Sequence, residues 1–235
     1  MDGQDRSLSD AEVQRIVDDA SGKNGEEKVF LEHEAKGLLT AMGLPVPKGI
    51  FVKKGEPLPE KLQLAYPLAA KVSSRKIVSK SDLHGVRTGL ADEGALRAAV
   101  NELFRIEGAE GVLVEEMAPR GTEVIVGGIV DAQFGPVVMF GLGGIFVELF
   151  KDVSFGLAPL DREEALRMAK EVKGYRLLEG YRGRPAADIG ALCDILVSVS
   201  RLMASGRFQE IDLNPVALYP AGAMVLDAKM SAVHY

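Results

Sequence analysis

Leu31, Ala35, Leu38, Leu39 and Met42 recur at helical spacing within Lys28–Gly43, and the pattern stops at a glycine, which predicts a helix. LPVPKGIFV follows, and its prolines and β-branched residues predict a strand entered through an extended loop. Residues 67–74, PLAAKVSS, read as a short buried strand, followed by the polar loop SRKIVSKSDLHG and a returning strand VRTGL. Asp92 is placed to cap a helix over EGALRAAVNELFRI, and EGVLVEEM is the next strand.

The central stretch differs in kind. TEVIVGGIV, FGPVVMFG and GIFVELF are three closely spaced apolar strands with Asp-Ala-Gln and Gly-Leu-Gly-Gly turns between them, the pattern of an antiparallel meander. Asp161 and Glu164 form a capping pair for the helix REEALRMAKEVKG. Ala187–Ser205 carries Ile189, Leu192, Ile195, Leu196, Val199, Leu202 and Met203 at helical spacing. The chain closes with two strands, FQEIDLNPVALYP and AMVLDAKM, joined at Pro220–Gly222 as a hairpin. Antiparallel strands with covering helices indicate an α+β fold, or mixed α/β layering, rather than a regular βαβ series.

Composition bounds this picture without changing it. The chain has 235 residues, 47% hydrophobic and 26% charged, enough for a sizeable core in one large domain or two lobes. Residues 1–27 are polar and acidic, with no basic leader followed by an apolar run, and read as a helical extension rather than a signal peptide. The longest apolar runs are broken by glycines and fall short of a membrane span. The single Cys193 fits a reducing cytoplasm. A net charge of −6, with no basic stripe, argues against nucleic acid as a partner.

Three groups of residues carry candidate chemistry. Lys71 lies inside an apolar strand, where an unpaired charge is costly, so it needs a partner: a structural salt bridge or a nucleotide phosphate. In LVEEMAPRGTEV a strand exits through Glu115, Glu116 and Met117, where backbone groups and a soft methionine can meet a flat base, although a solvated surface turn explains the same residues. Glu123, at the start of the next strand, reads as a ribose acceptor, a lysine orienter or a polar strand end. In EIDLNPV, Glu210, Asp212 and Asn214 alternate on one strand face while Ile211 and Leu213 take the other. With Asp227 in LDAKM they form an oxygen-rich set suited to a magnesium–phosphate site. The GLGG turn, residues 141–144, reads as tight strand packing or as an anion cradle, and its apolar flanks point to another subunit.

Taken in order, LEHEAKGLLTAMGLPVP, LAAKVSS, SKSD, VEEMAPRGTEVIVG, FGPVVMFGLGGIFVELFKDVSF, LLEGYRGRP and EIDLNPV with LDAKM resemble the ATP-grasp β subunit of ADP-forming acyl-CoA (acetyl-CoA) synthetases, relatives of succinyl-CoA synthetase. The resemblance runs over roughly residues 28–230. It implies an ATP-grasp fold over 28–235, with a smaller lobe at about 45–114, a larger lobe from the remainder, and ATP held between them. It also implies Lys71 as a phosphate ligand, Glu115–Met117 as the adenine hinge, and Asn214 and Asp227 as magnesium ligands beside Glu210 and Asp212. The implied reaction joins an acid and CoA at the expense of ATP, giving ADP and phosphate. A CoA-binding α subunit is the implied partner and carries the primary phosphohistidine.

Two positions depart from the family's usual pattern. Ser79 stands where the relay histidine is usual, and His84 follows five residues later, where the family has glycine. Gly156 stands where an arginine usually follows Val-Ser-Phe. Imidazole is a competent phosphoryl carrier near neutral pH, whereas an unassisted serine hydroxyl is a weak nucleophile. Three accounts stay open: His84 takes over the relay, the partner's phosphohistidine reaches the nucleotide without a second carrier, or transfer is lost and a nucleotide-binding regulatory lobe remains. A CoA-independent ATP-grasp carboxylate ligase is a further alternative.

Overall fold

The computed structural model describes residues 28–232, except 78, 79, 81, 145–149 and 184. The expected N-terminal extension, residues 1–27, lies outside the described residues. The chain divides into two compact units, one of them Leu31–His33 with Pro47–Pro119, the other comprising, among the described residues, 28–30, Glu34–Val46 and 120–232.

The smaller unit is a four-stranded antiparallel sheet. Its strands are β2 (Gly49–Lys53), β3 (Leu68–Ser73), β4 (Val86–Leu90) and β5 (Gly111–Glu116), in the order β2-β5-β3-β4. Helix α2 (Glu93–Leu103) begins at Asp92, whose carboxylate accepts from the Ala95 N–H at 2.8 Å, as the sequence predicts. It packs Leu96, Ala99, Val100 and Leu103 against Leu68, Ala70, Val72, Val112 and Val114. Period-2 alternation therefore turns Ala69, Lys71, Leu113 and Glu115 to the opposite face. There His33 stacks on Phe51, ring centroids 3.9 Å apart and planes at 14°, fixing the short Leu31–His33 segment on the sheet.

The larger unit is a seven-stranded antiparallel sheet in the order β1-β11-β9-β6-β7-β8, with β10 also on β9. The strands are β1 (Lys28–Val29), β6 (Thr122–Asp131), β7 (Gly135–Leu142), β8 (Val153–Leu157), β9 (Phe208–Leu218), β10 (Ala223–Val225) and β11 (Lys229–Ala232). One face is covered by α1 (Glu32–Ala41), whose residues from Glu34 on belong to this unit, by α3 (Arg162–Glu171) and by α4 (Ile189–Ala204). Leu38, Leu39, Met168, Leu192, Leu196, Val199 and Met203 pack there against Val126, Phe140, Ile211 and Leu213. Asp161 and Glu164 form the expected capping box on α3. Among the described residues no helix is long and apolar enough to cross a membrane.

Three expectations are corrected. The helix predicted from Lys28 begins at Glu32, because Lys28 and Val29 pair with Ala232 and Ser231 instead. Of the third meander strand, residues 145–149 lie outside the described residues, and the strand that pairs with β7 is β8. AMVLDAKM is two strands rather than one: after Val225 the Leu226 N–H donates to the Pro215 carbonyl at 2.9 Å, and Leu226–Ala228 leaves the ladder before β11 resumes.

Candidate functional site

The oxygen-bearing row predicted on β9 is present. Ile211 and Leu213 are buried under the helices, while Glu210, Asp212 and Asn214 face the open side of the larger sheet. They line a cleft of about 300 Å³ whose floor continues across Gly127, Met139 and Phe155. A β-bulge ends the row. Val124 pairs with Val216 but Val126 pairs with Leu213, so Asn214 and Pro215 together oppose Ile125. The bulge carbonyl of Pro215 accepts from Leu226 N–H, so the Asn214 and Asp227 segments come together although Asp227 is not in a strand. Lys229 stands directly opposite Asp212 in the β9–β11 register, a cation beside the acidic row that sequence reasoning missed. Among the described residues no group of three or more His, Cys, Asp or Glu could hold a metal ion unaided. Hard oxygen donors in small number are what magnesium uses when substrate phosphates and water complete its shell, so the donor set fits that ion.

Glu123 is the second residue of β6, opposite Ala217, with an exposed side chain. Its carbonyl accepts from Gly143 N–H at 2.9 Å, and a Cβ at Gly143 would stand 3.0 Å from that carbonyl oxygen. Close strand approach thus accounts for this glycine of the GLGG turn.

In the smaller unit Lys71 Nζ is 2.8 Å from both Glu32 Oε1 and Glu115 Oε2. Of the two kinds of partner left open for Lys71, carboxylates are present, and one of them, Glu32, is a residue that sequence reasoning did not single out. The Glu115 side chain is committed to Lys71 and buried. At the strand exit the Glu116 and Met117 N–H groups donate to the carbonyls of Lys48 and Pro67, so neither is offered to a base edge. The half-exposed Met117 side chain remains, its sulfur 2.9 Å from Gly89 N. Glu116 accepts from the Ala65 N–H at 2.9 Å, which orders the loop before β3.

His84 is exposed and has a left-handed backbone, φ 50°, a conformation that explains a usual glycine at this position. Ser79 lies outside the described residues. A Cβ at Gly156 would lie 2.9 Å from Leu160 and 3.1 Å from Met168, so any side chain there, an arginine included, displaces core packing under α3. Cys193 is buried in the core, and burial pushes its thiol up from the ordinary value.

Residues 22–232 match the family described as ATP-grasp domain. The chain is 40% identical over 230 residues to the acetate–CoA ligase (ADP-forming) I subunit beta of Pyrococcus furiosus, covering 94% of this chain and 97% of that one. It is 44% identical over 203 residues to acetate–CoA ligase (ADP-forming) II of Archaeoglobus fulgidus, covering 86% of this chain but 30% of that longer protein. A solved structure of Ca. Korarchaeum cryptofilum dinucleotide forming acetyl-coenzyme A synthetase 1, with coenzyme A and Mg-AMPPCP and its phosphohistidine segment pointing towards the nucleotide binding site, matches at TM-score 0.77 and 41% identity, covering 96% of this chain and 100% of that one.

Proposed function

The chain belongs to the ATP-grasp family, and we propose that it is the nucleotide-binding subunit of an ADP-forming acyl-CoA synthetase that works with a separate CoA-binding subunit. What carries this reading is the row Glu210, Asp212 and Asn214 on β9, in a chain that is similar to a β subunit over 94% of its length.

In this reading ATP or ADP is the substrate. Lys71 meets its phosphates, while Met117 packs on the base and Glu123 and Asp212 contact the nucleotide. Glu210, Asn214 and Asp227 would hold magnesium, which when bound neutralises phosphate charge. The protein's own task is positioning and charge compensation, as in other phosphoryl transfers.

The test is reconstitution with the CoA-binding subunit and labelled ATP. Phosphohistidine formation with ADP-forming turnover supports the enzyme reading. Nucleotide binding with neither would replace it by a silent regulatory lobe. Acyl phosphate formed by this chain alone, with neither the CoA-binding subunit nor CoA present, would replace it by a carboxylate ligase. His84→Ala then tests the relay: lost turnover with binding kept assigns it to His84, and unchanged turnover excludes His84.

A further inference from the structure

Two carboxylates and two ammonium groups form a chain of charge on the face of the smaller sheet that α2 does not cover. Glu32 Oε1 lies 2.8 Å from Lys71 Nζ, and Glu32 Oε2 pairs with Lys80 Nζ. Lys71 Nζ is in turn 2.8 Å from Glu115 Oε2. The order is Lys80, Glu32, Lys71, Glu115, drawn from the loop before β4, the start of α1, β3 and β5. The glutamate side chains are 4% and 3% exposed, the lysines 10% and 13%. Carboxylates therefore sit inside and ammonium groups towards solvent.

We propose that Glu32 is a positioning residue that holds Lys71 and Lys80 side by side as a two-lysine clamp for the nucleotide phosphates, a role that rests on the reading of Lys71 as a phosphate ligand. Two ammonium groups brought this close repel one another unless a shared anion lies between them. The two oxygens of one carboxylate supply it, each taking one lysine. Removal of the Glu32 charge takes away the anion that the two ammonium groups share.

Stability alone is a poor explanation for the arrangement. Apolar residues of similar volume stabilise a buried position as well as an ion-pair network does, or better, and the α2 face of the same sheet is built that way. The backbone also places both arms before the side chains meet. Gly85 N–H donates to the Lys80 carbonyl at 2.7 Å, and Val72 N–H donates to the Gly85 carbonyl at 2.8 Å, which ties Lys80 to the strand carrying Lys71. Glu32 is fixed by the stack of the adjacent His33 on Phe51.

The test titrates the full chain with Mg-ADP and, separately, with adenosine. Glu32→Gln keeps the shape and removes the charge. It is expected to weaken Mg-ADP about tenfold or more and to leave adenosine unchanged, and to have no further effect in a Lys71→Met background. Lys80→Met is expected to show the same selective loss, and Glu32→Asp to restore part of it. Equal weakening of both ligands, or unchanged Mg-ADP affinity while Lys71→Met does weaken it, overturns the clamp. If Lys71→Met itself leaves Mg-ADP unaffected, the phosphate reading of Lys71 fails instead, and the clamp with it. Loss of folded protein lowers the number of sites for both ligands and leaves their constants in place, so it is not mistaken for either result.

Discussion

Asp188 ties the first turn of α4 to the hairpin between β9 and β10. Its Oδ1 accepts from Ala191 N–H at 2.9 Å and its Oδ2 from Gly222 N–H at 2.7 Å. Gly222 has φ 83°, the left-handed backbone this turn requires. The bonds from Gly222 and then Ala191 hold the Asp188 carboxyl below its ordinary value of 3.8. A depressed carboxylate contributes stability in full above the unfolded-state value and loses it as pH falls through the folded one. Asp188→Ala is therefore expected to cost about 1–2 kcal/mol at neutral pH. The difference from the native chain should shrink below about pH 4, and denaturant melts at pH 7 and pH 3 would check this.

Gly85 has no room for a side chain. A Cβ there would stand 2.5 Å from Val72 Cγ1 and 2.9 Å from the Lys80 carbonyl. Gly85→Ala must push the loop off β3, at a cost of about 1–3 kcal/mol, and carry Lys80 away from Glu32. Thermal melting reads the first effect. Weaker Mg-ADP binding, with adenosine binding preserved, reads the second.

Ser200 is fully buried in α4, where its hydroxyl accepts from Leu160 N–H at 3.0 Å and donates to the Val197 carbonyl at 2.7 Å. Ser200→Ala strands the Leu160 N–H in the core, and about 1–3 kcal/mol of stability should be lost. The midpoint of chemical unfolding is the measurement, and an unchanged midpoint would show that Leu160 finds another acceptor.

On the acidic row, Asp227→Ala and Asn214→Leu are each expected to lower magnesium-dependent nucleotide affinity at least about tenfold, with metal-free nucleotide binding unaffected. Titration with and without magnesium separates the two. Equal loss under both conditions would remove these residues from the metal site.

Much of this was legible because it is local. Asp92, Asp161 and Glu164 announce their helices within three residues, and the alternation through Ile211 and Leu213 fixes which side of β9 carries Glu210, Asp212 and Asn214. Glu32 was not legible, since within LEHEAKGLL it looks like any polar residue of an amphipathic helix. Its meaning comes from Lys71, 39 residues on, and Lys80, 48 residues on. Lys28 and Val29 likewise continue the helical pattern but are claimed by β11 from the far end of the chain. The Glu116 and Met117 N–H groups read as open at a strand exit. Pairing with Lys48 and Pro67, which no spacing reveals, occupies them.

The bulge at Asn214–Pro215 changes the parity of β9. Immediately before it, the odd-numbered Ile211 and Leu213 enter the core; after it, the even-numbered Val216 and Leu218 do. The strand thus behaves like a reading frame shifted at this point. Substitutions within the row leave the frame intact, whereas deleting a single residue at the shift would turn either the acids inward or Val216 and Leu218 outward. Variation in this part of the chain is accordingly confined to exchange of side chains, and changes of length must fall elsewhere.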